Sequence, residues 1–237
     1  MNFQQGEILY FDKPYHWTSF GLVGRIRHKL CEVLEIPKLK VGHAGTLDPL
    51  ATGVLIVCTG KATKTIDQLQ GQTKEYIATL KLGETTASYD LEHPVNATFP
   101  TEHITKELME ETLQKFIGQI EQIPPEYSAC KIDGKPAYIL ARKGKDVKLK
   151  PKTLVIDEIE LLDFKIPIAK IRVVCSKGTY IRALARDIGE ALHSGAHLTA
   201  LRRTRIGDVK VEDCIDPEKF SEWLDKQTIE KEELIQQ

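Results

Sequence analysis

The chain has 237 residues, 33 Lys+Arg against 34 Asp+Glu, and a formal net charge of -1. A hydrophobic content of 41% and a charged content of 28% are those of an ordinary globular protein and exclude wholesale disorder. At about 150 residues per domain, the length predicts one large domain or a core with an insertion. The longest unbroken apolar run, Val54-Leu55-Ile56-Val57-Cys58, is far short of the ~20 residues that span a bilayer. Residues 1–6 lack the basic-then-apolar layout of a signal peptide. Five scattered cysteines with no C-x-x-C pair point to a reducing compartment, with Cys58 and Cys175 as buried packing residues. The expectation is a soluble, cytoplasmic protein.

In chain order, Glu7 to Phe11 reads as a short strand stopped by Asp12-Lys13-Pro14. Thr18 or Ser19 caps a helix running to about Leu34, with Leu22, Ile26, Leu30 and Leu34 at i+4 spacing. A glycine-punctuated loop over 41–49 precedes an apolar strand at 54–58. Residues 74–82 alternate polar and apolar, as a half-exposed strand does. A helix is expected over 105–116, strands over 154–164 and 168–175, a helix over 179–192 and a strand over 197–203. This irregular alternation, with meander-like strand pairs, favours a mixed α/β sheet over a doubly wound one.

Charge is unevenly placed. Residues 128–152 carry eight basic side chains (Lys131, Lys135, Arg142, Lys143, Lys145, Lys148, Lys150, Lys152) against Asp133 and Asp146. Prolines bound the stretch at 124–125 and 151, as expected of an inserted, mobile arm. From Asp208 to the end, ten acids face four lysines. A polyanion responds to the basic patch rather than to the global sum.

Three passages invite chemistry. In the loop over 42–53, two glycines stand close to Asp48-Pro49, and Pro49 holds Asp48 out of the helical region. A carboxylate fixed there can serve as a nucleophile or a general base, although Asp-Pro is more often a plain turn pair. Cys175-Ser176-Lys177-Gly178-Thr179-Tyr180-Ile181-Arg182 ends a strand and starts a helix. Its backbone amides, Lys177 and Arg182 suit a phosphate or carboxylate, and a solvated turn suits the same residues equally well. His193 and His197 stand four apart without an acidic partner, so no metal is expected. Neither G-x-G-x-x-G nor G-x-x-x-x-G-K-[ST] occurs, so no nucleotide cofactor is expected either.

Gly42-His43-Ala44-Gly45-Thr46-Leu47-Asp48-Pro49-Leu50-Ala51-Thr52-Gly53-Val54-Leu55 resembles the catalytic motif of the TruB family of tRNA pseudouridine synthases. The resemblance continues through Lys74-Glu75-Tyr76, Leu82-Gly83, residues 175–182, Gly195-Ala196-His197-Leu198 and Leu201-Arg202-Arg203-Thr204, covering roughly residues 7–210. It implies a largely antiparallel sheet of the pseudouridine synthase type flanked by helices. It also implies an isomerase that converts the uridine at position 55 in the tRNA T-arm loop to pseudouridine without cofactor or metal.

By the same resemblance Asp48 is the catalytic aspartate, Tyr76 the aromatic that stacks on the flipped base, and Arg182 the arginine that pairs with the carboxylate. His43 resembles the residue near the extracted base, and Tyr180 and Leu201 resemble apolar pocket walls. The basic arm becomes an RNA grip, with Lys131, Gly134, Tyr138, Ala141 and Arg142 at family positions. Expected RNA-backbone contacts are Lys131, Arg142, Lys143, Lys145, Lys148, Lys177, Arg202 and Arg203, and the tRNA T-arm stem-loop is the expected partner of a monomer.

Three departures stand out. His16 replaces the glycine of the family's Asp-Lys-Pro-x-Gly turn, and Thr86-Ala87-Ser88 replaces a Thr-Asp-Thr run, losing one acid. Bacterial members typically carry a C-terminal PUA domain, whereas this chain ends about thirty residues after Arg205 in an acidic stretch. The expected organisation is therefore a single catalytic domain over 1–237, with an arm at about 124–152 and a short acidic tail at about 208–237. Two other readings stay open: a synthase of the same fold acting on another RNA, and a non-catalytic RNA-binding or RNA-folding module. The latter predicts a damaged Asp48 loop, and the loop is intact.

Overall fold

In a computed structural model, residues 1–132, 134–144 and 147–230 are described, with only the backbone of Lys131. The chain divides into two compact units, Met1–Lys74 with the segment from Arg202 onward, and Glu75–Leu201. The architecture is the mixed α/β one expected, with a large, mostly antiparallel sheet flanked by helices.

The first unit begins with β1 (Ile8–Lys13), whose alternate residues Leu9, Phe11 and Lys13 are buried. The helix α1 (Ser19–Leu34) starts where Thr18 Oγ1 accepts the Gly21 amide at 2.9 Å. It ends at Glu35, whose left-handed φ of 58° breaks the helix. Its buried stripe of Leu22, Val23, Ile26, Leu30 and Leu34 follows the helical period read from the sequence. Short β2 (Val41–His43) leads into the loop that carries Asp48, and β3 (Ala51–Thr59) follows. β3 pairs antiparallel with β1, from Ile8↔Cys58 to Lys13↔Gly53. β3 is apolar throughout because both of its faces are covered. Leu55 and Val57 join the α1 core, while Val54, Ile56 and Cys58 join a second cluster with Ala44 and Ile206. A 3-10 turn (Gly60–Thr65) and α2 (Ile66–Gln70) complete this half of the unit.

The second unit opens with β4 (Lys74–Leu82), whose strict alternation buries Tyr76, Ala78, Leu80 and Leu82. The hairpin β5 (Glu84–Thr86) and β6 (Val95–Thr98) follows. Next come α3 (Lys106–Gln114), capped by Thr105, and β7 (Gly118–Gln122). The arm contains β8 (Lys131–Ile132), β9 (Lys135–Pro136) and α4 (Ala137–Ala141). Ala137, Ala141 and Val147 give the arm a small core of its own, with Tyr127, Leu140 and Leu149 packed against it. Long β10 (Lys152–Lys165) pairs with β7 on one edge and with β11 (Ile168–Cys175) on the other. α5 (Ile181–Ala191) and β12 (Ala196–Ile206) follow.

β12 ends in the first unit and turns through Gly207 into β13 (Val209–Lys210). The acidic segment beyond is not a loose tail up to residue 230. Two 3-10 turns and α6 (Phe220–Leu224) bring Phe220 and Leu224 into the α1 core, with Phe220 edge-on to Phe11 at 5.3 Å. Two apolar side chains four apart on a short helix outweigh the charge around them. Residues 231–237 of the expected tail lie outside the described residues.

Candidate active site

The Asp48 loop is fixed by its own carbonyls, each of which accepts a donor from Gly45 through Pro49. Arg203 Nη2 donates to Gly45 O at 3.1 Å and Nη1 to Thr46 O at 3.4 Å. Ser19 Oγ donates to Leu47 O at 3.0 Å and accepts from the Leu47 amide at 2.9 Å. The Ala51 amide donates to Asp48 O at 3.1 Å and the His16 amide to Pro49 O at 2.8 Å. Arg203 Nε adds a bond to Val54 O at 2.8 Å, where β3 begins. These bonds satisfy the loop carbonyls without recourse to solvent. Gly53 is required at its place, since its φ is +109° and a Cβ there would lie 2.1 Å from the Arg203 carbonyl oxygen.

Around the half-buried Asp48 the field is mixed. The side chain of Lys13 is buried beneath the loop, donating to Pro14 O (2.9 Å) and Trp17 O (2.6 Å), with Pro49 O at 3.5 Å. Burial lowers its pKa to about 8, against the opposing pull of Asp48. His43, on β2, is pushed below its ordinary pKa by burial and then by Arg203, which keeps it neutral. Its buried Nδ1 has no hydrogen-bond partner among the described residues.

The second unit carries the remaining expected pocket residues. Tyr76 is buried on β4. Arg182 is buried in the first turn of α5, donating to Ser88 O (3.1 Å) and Tyr127 O (2.9 Å), with Asp90 Oδ2 at 3.7 Å from its Nε. Asp90 in turn accepts from Ser88 Oγ at 2.5 Å and from the Glu92 amide at 2.9 Å. Gln122, fully buried, clasps Tyr180 by accepting from its amide (2.9 Å) and donating to its carbonyl (3.2 Å). Burial raises the Tyr180 phenol pKa. Leu201 is half-buried on β12.

Sequence reading missed Ser19, Asp90 and Gln122. None of them belongs to a chemical motif, and each acts on backbone or charge distant in sequence. The residues read as a phosphate or carboxylate site over 175–182 are placed separately. Arg182 is turned inward, the Tyr180 amide is taken by Gln122, and Lys177 stands exposed on the turn.

The expected RNA-backbone residues divide. Lys143 and Lys148 are exposed on the arm. Arg142 is exposed, lies over Tyr138 and pairs with Glu92 at 3.3 Å. Arg202 is half-exposed and gripped by Asp12 in a fork at 3.2 and 2.7 Å. Arg203 corrects the expectation. It is 1% exposed, and its guanidinium is spent on the carbonyls of the Asp48 loop, so it braces the loop instead of meeting a phosphate. Lys145 and the Lys131 side chain lie outside what is described. Among the described residues no three His, Cys, Asp or Glu side chains are grouped to hold a metal ion, and no helix is long and apolar enough to cross a membrane.

Comparison with known proteins bears on this geometry. Residues 32–181 match the TruB family pseudouridylate synthase N-terminal domain, and residues 182–237 match the tRNA pseudouridylate synthase B C-terminal domain. The chain is 70% identical to tRNA pseudouridine synthase B of Phocaeicola vulgatus over 98% of both chains. It is 69% identical to that of Bacteroides fragilis, over 97% of this chain and 99% of the relative. Among solved structures, a Cbf5-Nop10-Gar1 complex contains a chain with a TM-score of 0.68 and 30% identity, covering 94% of this chain and 56% of that one. A family pattern spanning 32–181 and relatives of this identity over their full lengths leave one assignment: the chain belongs to the TruB family of pseudouridylate synthases.

Proposed function

We propose that the protein isomerises the uridine at position 55 in the T-arm loop of tRNA to pseudouridine, in the cytoplasm, as a single catalytic domain. The observation that carries this reading is the 70% identity, over 98% of both chains, to a relative named tRNA pseudouridine synthase B. The unbroken motif around a fixed Asp48 supports it.

In this reading Asp48 is the catalytic carboxylate. The reaction breaks the bond between uracil N1 and the sugar C1′, turns the base and joins C5 to the same carbon. C5 gives up its hydrogen and N1 gains one. A carboxylate can add to C1′ or stabilise the positive charge that develops there, as in glycoside chemistry. The satisfied carbonyls from Gly45 to Pro49 contribute by holding the carboxylate in place, so little reorganisation accompanies the step.

Tyr76 stacks on the flipped base, offsetting part of the cost of extracting it. His43, neutral and with an unfilled nitrogen, stands near that base. Tyr180 and Leu201 wall the pocket, Arg182 supports the ionised state of the catalytic carboxylate, and the arm with Lys143 and Lys148 grips the backbone of the T-arm.

The test uses tRNA transcripts labelled with tritium at uridine C5, because isomerisation releases that label to water. The wild-type protein should release it from full tRNA and from an isolated T-arm hairpin. Asp48→Asn should release none while binding tRNA within about tenfold of wild type, since phosphate contacts supply most of the affinity. Substantial turnover by the Asn variant would overturn the assignment of Asp48. Pseudouridine appearing in ribosomal RNA but not in tRNA would overturn the substrate.

A further inference from the structure

A second surface of the first unit lies directly beside the Asp48 loop. Tyr15 and His16 are exposed and their rings pack together at 4.1 Å. His16 holds a φ of +66°, a conformation that glycine adopts freely and a histidine adopts at a cost. Three residues after Trp17, Phe20 is 75% exposed in the first turn of α1. Both features adjoin a bond to the loop: the His16 amide donates to Pro49 O at 2.8 Å, and Ser19, beside Phe20, holds Leu47.

The solvent face of α1 continues from there with Gly21, Gly24, Arg25, Arg27 and His28. No acid occurs in the helix before Glu32, which pairs with Lys29 at 3.3 Å. Arg25 is laid over Trp17, its guanidinium 4.4 Å from the ring centroid. A Cβ at Gly24 would meet no described atom within 4 Å, so no internal contact demands a glycine there, although glycine weakens a helix.

A single exposed aromatic is ordinary. Here a strained histidine, a bare phenylalanine and an unneeded helix glycine collect on one surface, and each costs the folded chain something. Arginines flank them, and the helix itself supplies no acid before Glu32. Flat rings interleaved with cations are the chemistry that holds unpaired nucleobases and the phosphates between them.

We propose that Tyr15, His16 and Phe20, together with Arg25 and Arg27, form an RNA-binding surface that stacks an unpaired base near the target uridine and holds its flanking phosphates. This rests on the reading of the protein as an RNA-modifying enzyme and adds a contact outside the pocket and the arm.

The test titrates a fluorescein-labelled T-arm hairpin and a full tRNA transcript against the intact protein over a range of salt. Phe20→Ala should weaken binding at least about fivefold, the low end of what one stacked base contributes, and Phe20→Trp should restore it. Arg25→Ala/Arg27→Ala should reduce the slope of log affinity against log salt by about 1.4–1.8, or 0.7–0.9 per phosphate. Because Phe20 is exposed, its variants should melt at the wild-type temperature, and the arginine double variant should lose no more than the contact of Arg25 with Trp17, about 0.5–1 kcal/mol. Wild-type affinity and slope in all of these variants would overturn the surface even if tritium release from tRNA proceeds. A wild-type protein that binds tRNA through Phe20 but releases no tritium would sink the proposed function and leave the surface standing. Loss of a dimer in Phe20→Ala, seen by sedimentation without change in RNA affinity, would assign the patch to a second copy of the chain instead.

Discussion

The hydroxyl of Ser19 and the peptide of Leu47 bond to each other twice, the hydroxyl donating to the carbonyl at 3.0 Å and accepting from the amide at 2.9 Å. One side chain at the start of α1 thus fixes the residue immediately before Asp48, and both partners are buried. Ser19→Ala removes both bonds and leaves a buried N–H and C=O without partners, a loss of about 1–3 kcal/mol for such groups. The expected outcome is a melting temperature lower by about 2–12 °C, at about 2–4 °C per kcal/mol for a chain of this size. A fall in kcat of about tenfold is expected with it, because a loosened Asp48 is misplaced at the sugar. Calorimetry and steady-state tritium release measure the two. An unchanged kcat would mean that Asp48 is held adequately without Ser19.

Arg203 yields a prediction opposite to the one its charge suggests. Removing a side chain that meets a phosphate would flatten the salt dependence of tRNA binding. Removing a buried brace should leave that slope unchanged and lower stability. Arg203→Lys keeps the charge but replaces a planar fork reaching Gly45, Thr46 and Val54 with a single ammonium. The expected cost is about 3 kcal/mol or more, given bonds from a charged donor at about 1.5–3 kcal/mol each that Lys cannot all remake. Denaturant melts and binding titrations on the folded variant separate the two roles.

Much of the frame was legible because local rules and tertiary packing agree. The i+4 spacing of Leu22, Ile26, Leu30 and Leu34 is the buried stripe of α1, and the alternation over 74–82 is β4. Within the site, Asp48 and its glycines stood out as punctuation that a turn requires. The residues that hold Asp48 did not. Arg203 reaches Gly45 across 158 positions and Ser19 reaches Leu47 across 28, and nothing local distinguishes a bracing Arg or Ser from a solvated one. The packing of the acidic C-terminal segment was not legible for a related reason. Net charge averages over a stretch, whereas Phe220 and Leu224 are decided individually by the cavity they fill.

The arm permits a quantitative test of the proposed RNA grip. Lys143 and Lys148 are exposed, while Arg142 already has Glu92 at 3.3 Å as a partner. Replacing Lys143, Lys145 and Lys148 with Ala should weaken tRNA binding and lower the log–log salt slope by about 0.7–0.9 for each phosphate no longer neutralised. Glu92→Gln should do the reverse, tightening binding at low salt by freeing Arg142. Exposed pairs of this kind are worth about 0–1 kcal/mol, so the gain should not exceed about fivefold. An unchanged slope in the triple variant would show that these lysines form only a solvated face.

Lys13 makes the site sensitive to alkaline pH. Its ammonium is buried beneath the Asp48 loop, and burial lowers its pKa from 10.5 to about 8, with Asp48 and Asp12 opposing the shift and Arg203 assisting it. Below pH 8 both the folded and unfolded chains carry this proton, and the folded chain bears the full cost of burying it. Between about 8 and 10.5 the unfolded chain binds more protons than the folded one, so this group's contribution to stability rises with pH across that window. Activity should move the other way. Loss of the ammonium removes a cation whose field reaches Asp48 and weakens its bonds to Pro14 O and Trp17 O, so kcat should fall above pH 8. Lys13→Arg keeps the charge through this range, because a guanidinium does not titrate there. A pH–rate profile of tRNA conversion should therefore show an alkaline limb near pH 8 for the wild type, displaced upward in the variant. An identical limb in both proteins would assign the titration to another group.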